Sequence, residues 1–148
     1  MKFLQIIIFT CIVFVLFFVT TYFSMLQFSQ DMSSSCFNCS YIRDVIIFSI
    51  IGCILILILS LFLKRILKKQ LFIVITIVLA FSLLLFLNNY NIFVDRVSSW
   101  SSYSTIDEIY STLHISYIYI IISSLLFCGS VQILLLKPFE KKLYTPKS

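Results

Sequence analysis

Long runs of hydrophobic residues alternate along the chain with short polar stretches. Four of these runs, at about residues 3–25, 45–63, 71–87 and 113–136, contain no Asp, Glu, Lys or Arg. A helix that crosses the hydrocarbon core of a bilayer needs about 20 predominantly apolar residues. The runs lack the two-residue alternation of barrel strands, and lipid tolerates only helices and closed barrels. The pattern predicts an all-α, polytopic membrane protein, with residues 1–148 forming a single four-helix transmembrane domain.

The polar stretches predict how the four helices are connected. Residues 27–44 form a first loop, and residues 64–70 are so few that helices two and three must pack as an antiparallel hairpin. Residues 88–104 form a second loop, which is rich in Asn, Ser and Tyr. The sequence Thr105-Ile106-Asp107-Glu108 fits a capping box and predicts that helix four begins there.

Composition and charge support a membrane location and orient the bundle. Hydrophobic residues make up 61% of the chain and charged residues 11%, which excludes a water-soluble domain of ordinary surface composition. Nine of the eleven basic residues fall on one side of the predicted spans. Because cytoplasmic loops carry the excess of Lys and Arg, both termini are expected to face the cytoplasm.

The basic residues near the span ends are candidates for contact with partners. They are expected to meet anionic lipid headgroups or an acidic cytoplasmic protein, and not nucleic acid. The candidate residues are Lys64, Arg65, Lys68, Lys69, Lys137, Lys141 and Lys142. On the other side, Trp100 is expected in the aromatic belt at the headgroup layer. Alternatively, it lies in a short helix parallel to the bilayer surface.

The spans offer little chemistry of their own. Charged residues inside a membrane are usually functional, and the absence of Asp, Glu, Lys and Arg from all four runs disfavours proton relays, ion-coupled transporters and voltage sensors. No metal site is expected at His114, the single histidine. Small residues predict where helices pack, and two patches of them are expected to face each other. One comprises Ser49, Gly52 and Cys53, and the other Ser124, Cys128 and Gly129.

The five cysteines fall into two groups. Cys11, Cys53 and Cys128 lie within the spans, where a free cysteine packs as a small apolar residue. Cys36 and Cys39 lie in the first loop, outside the predicted cytoplasmic side, where disulfides form and persist. A C-x-x-C pair there is either an exchangeable redox centre or a structural link, closed locally or to another chain.

The stretch Cys36-Phe37-Asn38-Cys39-Ser40-Tyr41-Ile42-Arg43 resembles the C-x-x-C-x-Y-x-R motif of the DsbB (BdbC) thiol oxidases. That resemblance implies a four-helix inner-membrane bundle in which Cys36 and Cys39 are the redox pair and Arg43 helps to hold a quinone. The chain departs from the family pattern at Ser35, Asn38 and Ile42. It also lacks a second cysteine pair in the second loop, where that family exchanges electrons with its soluble partner.

In size, topology and composition, the chain also resembles two groups of bacterial inner-membrane proteins. They are the immunity proteins against pore-forming colicins and the membrane subunit of anti-phage defence systems such as Kiwa. The first reading is therefore a membrane protein without a catalytic site or cofactor, which binds a toxin or a soluble cytoplasmic subunit. A DsbB-like oxidoreductase is the alternative, and pairing with further copies of the chain is left open.

Overall fold

The structure is a computed structural model, which describes residues 3–36, 39–66 and 69–133. Within those residues all regular elements are helices, and the four long helices are each long and apolar enough to cross a membrane. The elements are α1 (Phe3–Ser24), α2 (Tyr41–Ile66), α3 (Gln70–Arg96) and α4 (Thr105–Val131), with single 3₁₀ turns at Leu26–Phe28 and Ser98–Trp100. The predicted fold class is thus confirmed as four apolar helices.

The helices extend beyond the apolar runs that predicted them. Helix α2 begins at Tyr41 and not at residue 45, and α3 continues past residue 87 to Arg96. Much of the predicted second loop is therefore helix, because Asn89, Ile92 and Phe93 still face the interior and are buried. Helix α4 ends at Val131, and residues 134–136 of the predicted fourth span lie outside the described part.

Helix α4 starts where the sequence predicted, although with a different cap. Ser104 is the N-cap, and its side chain accepts a hydrogen bond from the backbone N–H of Asp107. The Asp107 carboxylate accepts the reciprocal bond from the backbone N–H of Ser104. The capping box is therefore one residue earlier than the predicted pair Thr105 and Glu108, which leaves Glu108 available for a different contact.

The four helices pack around a square. Consecutive helices are neighbours, α4 returns to pack on α1, and α1 also approaches α3 across the bundle, whereas α2 and α4 hardly touch. The centre is filled by buried aromatic rings from three helices: Phe9, Phe17, Phe81 and Phe127. The Phe81 and Phe127 rings stack with centroids 4.1 Å apart, and Phe17 meets Phe81 edge-on at 4.8 Å. Each such pair contributes about 0.5–1.5 kcal/mol beyond its buried area.

The two small-residue patches do not face each other as predicted. A Cβ atom on Gly52 would lie 2.9 Å from the Phe17 ring of α1, and the Cys53 Sγ donates to the Thr10 carbonyl of α1 at 3.6 Å. Ser124 of α4 instead bonds Ser82 of α3 at 2.8 Å. Each patch packs on an adjacent helix because α2 and α4 occupy opposite corners of the square.

The close contact at Gly52 gives a stability prediction with a matched control. We expect Gly52→Ala to destabilise the protein by about 1 kcal/mol, because overpacking against the fully buried Phe17 outweighs the gain in helix propensity. Gly129→Ala should be neutral or stabilising by up to about 1 kcal/mol, since no atom of the described neighbouring helices would lie within 4 Å of the added methyl group. Unfolding of both variants by SDS titration in mixed micelles measures the difference, and equal midpoints would contradict it.

The two ends of the bundle differ in chemistry. The end where α1 and α3 finish and α2 and α4 begin carries Cys36 and Cys39, and we call it the disulfide end. The opposite end, which we call the basic end, carries Lys64, Arg65 and Lys69 at the α2–α3 turn. Four other predicted contact residues, Lys68, Lys137, Lys141 and Lys142, lie outside the described residues.

Candidate functional site

Cys36 and Cys39 form a disulfide in the connection between α1 and α2. Both residues are half-buried. The backbone N–H of Cys39 donates to the Cys36 carbonyl at 3.1 Å, which closes a turn across the pair. The backbone N–H of Cys36 donates to the Ser33 hydroxyl at 3.2 Å. The predicted pair is therefore brought together as a local bond within one chain.

Arg43 lies beside the disulfide. It is in the first turn of α2, four residues after Cys39, and its Nη1 is 3.3 Å from the Cys39 Sγ. Cys39 lies two residues before α2, and the backbone N–H of Arg43 donates to the Ser40 carbonyl at 3.0 Å, so this turn brings the start of the helix beside the sulfur. A nearby guanidinium favours the thiolate form of a cysteine when the disulfide opens. The position of the charge thus distinguishes Cys39 from Cys36.

A cleft of about 470 Å³ opens next to this pair, between α2 and α3. Its apolar wall is formed by Ile47 and Phe48. Its polar wall comprises Ser35, Cys39, Arg43, Asn91 and the carboxylates of Asp44 and Asp95. The volume is within the usual range of small-molecule sites, which combine an apolar lining with a few polar groups. The cleft thus offers hydrogen-bonding groups on one wall and an apolar surface on the other.

Arg96, the last residue of α3, is buried beneath the disulfide connection. Only 3% of it is exposed, and its Nη2 forms a salt bridge with the Asp44 carboxylate of α2 at 2.6 Å. Its Nη1 donates to the Asp31 carbonyl at 2.5 Å, and Nη2 also lies 3.4 Å from the Cys39 carbonyl. The guanidinium is 5.4 Å from the Tyr41 ring. One side chain thus joins α3 to α2 and to both flanks of the disulfide.

Asp95 adds a second attachment from the same end of α3. Its Oδ1 accepts from the Ser34 hydroxyl and from the Ser35 backbone N–H, each at 2.9 Å. Its backbone carbonyl accepts from the Ser34 N–H at 3.0 Å. The connection that precedes Cys36 is therefore fixed to α3 by three hydrogen bonds.

The sequence did not identify either α3 residue as part of the site. It placed Asp95 and Arg96 in the second loop, at residues 88–104. A partial signal was present in the charges: Asp44 and Arg96 are opposite in sign, with Asp44 directly before the start of one run of the hairpin and Arg96 nine residues after the end of the other. An antiparallel hairpin brings those ends together.

Trp100 lies in the 3₁₀ turn Ser98–Trp100, so the short helix given as the alternative for this residue is a single turn. The indole is about half exposed at 53%, and its Nε1 donates to the Met32 carbonyl at 2.9 Å. Nearby, the Glu108 carboxylate accepts from Tyr90 at 2.7 Å and from Ser98. The Trp100 bond joins the two connections of the disulfide end, and the Glu108 bonds attach α4 to α3 and to the second connection.

Other predicted positions lie away from this site. The free cysteines Cys11, Cys53 and Cys128 are on α1, α2 and α4. His114 stacks on the Tyr110 ring of its own helix, at 6.2 Å between centroids. Among residues 3–36, 39–66 and 69–133, no group of three His, Cys, Asp or Glu side chains could hold a metal ion.

Comparison with known proteins gives no match to this chain, whether with protein-family models, curated proteins or solved structures.

Proposed function

We propose that this protein is a membrane thiol–disulfide oxidoreductase in which Cys36 and Cys39 are the redox pair. The observation that supports it best is the guanidinium of Arg43, 3.3 Å from the Cys39 Sγ at the edge of the cleft. A purely structural disulfide needs neither a cation beside one sulfur nor a cleft at that sulfur. The resemblance of residues 36–43 to the DsbB motif supports the same function.

The proposed location is a bacterial plasma membrane, with the basic end and both termini on the cytoplasmic side. The excess of Lys and Arg near the span ends supports this orientation. It exposes the disulfide end to the extracytoplasmic side, where protein disulfides form and persist. The disulfide then meets extracytoplasmic thiols, and the apolar wall of the cleft faces the lipid.

The geometry suggests separate roles for the two cysteines. A thiolate of a substrate protein attacks the Cys36 sulfur and forms a mixed disulfide, and Cys39 leaves as the thiolate because Arg43 stabilises its charge. A second substrate thiolate then attacks the mixed disulfide and releases Cys36. The substrate dithiol becomes a disulfide, and the Cys36–Cys39 pair has taken up two electrons.

The electron acceptor proposed for the cleft is a quinone, which Arg43 and Asn91 would hold through its carbonyl groups while Phe48 and Ile47 supply the apolar wall. When bound, a quinone accepts two electrons and two protons. With no second cysteine pair in the chain's other connection, Cys36 is the group that meets the substrate directly.

The redox state of the pair in living cells tests this proposal. A variant with serine at Cys11, Cys53 and Cys128 leaves only Cys36 and Cys39 to react with a thiol reagent that changes gel mobility. We expect the pair to be oxidised in cells with respiratory quinone and mostly reduced in cells that cannot make it. A pair that stays in one state in both strains would refute quinone-linked cycling.

Partner binding without catalysis is the second candidate. It is favoured by three exposed apolar side chains at the disulfide end: Trp100 at 53%, Ile106 at 79% and Tyr110 at 70%. The Trp100 indole and the start of α4 are both held by hydrogen bonds, so this surface is presented in a fixed shape. Its partner would be a hydrophobic toxin helix or another membrane subunit, with the basic end available to lipid or to a soluble subunit.

A further inference from the structure

We propose that Asp95 is a positioning residue that holds the reduced Cys36 and Cys39 close together and so stabilises their disulfide. The inference rests on the proposed redox function, because it concerns how readily the pair is reduced. It adds a residue of α3 to a site that the sequence confined to the first connection.

The hydrogen bonds from Asp95 fix the chain just before Cys36. Its carboxylate holds Ser34 and Ser35, and its carbonyl holds the Ser34 backbone. The next residue, Arg96, holds the Cys39 carbonyl on the other side of the pair. Both flanks of the disulfide are therefore attached to the end of α3 by bonds that do not involve sulfur.

These attachments persist when the disulfide is opened. Reduction adds two electrons and two protons and breaks only the S–S bond, while a reducing dithiol becomes a disulfide. In a free loop, the two thiols would then separate and gain conformational freedom, which favours the reduced state. A loop held on both flanks gains less freedom, so its thiols stay near each other and close the bond again more readily. Asp95 should therefore make the pair harder to reduce.

The charge of Asp95 could act in the same direction, since a carboxylate near a sulfur disfavours the thiolate. Asp95→Asn separates the two effects, because the amide oxygen can still accept from Ser34 and Ser35 while the negative charge is lost. Asp95→Ala removes both the acceptor and the charge. Asp107→Ala is the matched control, because that carboxylate belongs to the α4 cap and, among the residues that the structure describes, its hydrogen bonds are to Ser104.

The experiment is equilibration of the purified full-length protein in lipid vesicles with glutathione buffers of graded ratio, followed by thiol trapping. All variants carry serine at Cys11, Cys53 and Cys128. We expect Asp95→Ala to shift the equilibrium constant for reduction of the disulfide by glutathione about tenfold in favour of the reduced pair. This change corresponds to a reduction potential about 30 mV more oxidising than that of the parent. For Asp95→Asn and Asp107→Ala, the same equilibrium constant should stay within threefold of the parent's value.

Each result bears on the proposal. An equilibrium constant for Asp95→Ala within threefold of the parent's would refute the positioning role. A shift for Asp95→Asn as large as that for Asp95→Ala would also refute it, because the charge of Asp95 would then be responsible. A parent-like unfolding midpoint for Asp95→Ala shows that the shift is local. Because the measurement uses glutathione and no quinone, it can succeed even if quinone-linked cycling in cells fails.

Discussion

Replacing Cys36 or Cys39 by serine is expected to abolish thiol oxidation, with a loss of more than about 100-fold in rate. A single sulfur cannot take up two electrons by forming and breaking an internal disulfide. The assay is the quinone-dependent oxidation of a dithiol peptide by the protein in lipid vesicles. Cys11→Ser and Cys128→Ser are the controls and should retain full activity, because both cysteines lie on helices away from the disulfide.

The two substitutions also test the separate roles of the cysteines. If Cys36 is the sulfur that substrate meets, Cys39→Ser should accumulate a mixed disulfide between Cys36 and the peptide, and Cys36→Ser should not. The reverse pattern would contradict the role assigned to Arg43. If cells that carry Cys36→Ser keep the effect of the protein, and cells that carry Trp100→Ala lose it, partner binding replaces oxidation as the proposed function.

Arg96→Met is expected to destabilise the protein by about 3 kcal/mol, measured as the shift of the SDS-induced unfolding transition. The substitution leaves the Asp44 carboxylate without its salt bridge, and it removes the donor to the Asp31 and Cys39 carbonyls. Removing one partner of a buried ion pair typically costs 3–5 kcal/mol, and Asp44 is slightly exposed, so the lower value applies.

Two further variants show whether the cost comes from the unpaired charge. The double variant Asp44→Leu with Arg96→Met should recover at least half of the lost stability, because an apolar pair leaves no buried charge. Arg43→Met is the matched control on the same end of the bundle, and its exposed guanidinium should contribute less than about 1 kcal/mol. An Arg96→Met midpoint equal to that of Arg43→Met would contradict the structural role of the salt bridge.

Several features of this protein could be predicted from local sequence. The four helices follow from apolar runs of span length, since no other backbone arrangement suits such runs. The start of α4 followed from cap chemistry, although the cap is Ser104 and not Thr105. The spacing of Cys36 and Cys39 allowed a local disulfide but left a bond to another chain open, and the structure forms the local bond. Each of these features depends on residues that are close together in the sequence, within one turn of chain or one apolar run.

The tertiary structure decided which helix faces meet and which charges pair. Helices that are apolar on all sides carry no stripe that marks the buried face, so the sequence could not tell that Gly52 packs on Phe17 of α1. The sequence could also not show that α3 extends to Arg96, because that last part of the helix is retained through contacts with α2 and the first connection. The site depends on the same long-range contacts: Asp95 and Arg96 reach the disulfide only because the hairpin brings the end of α3 beside the start of α2.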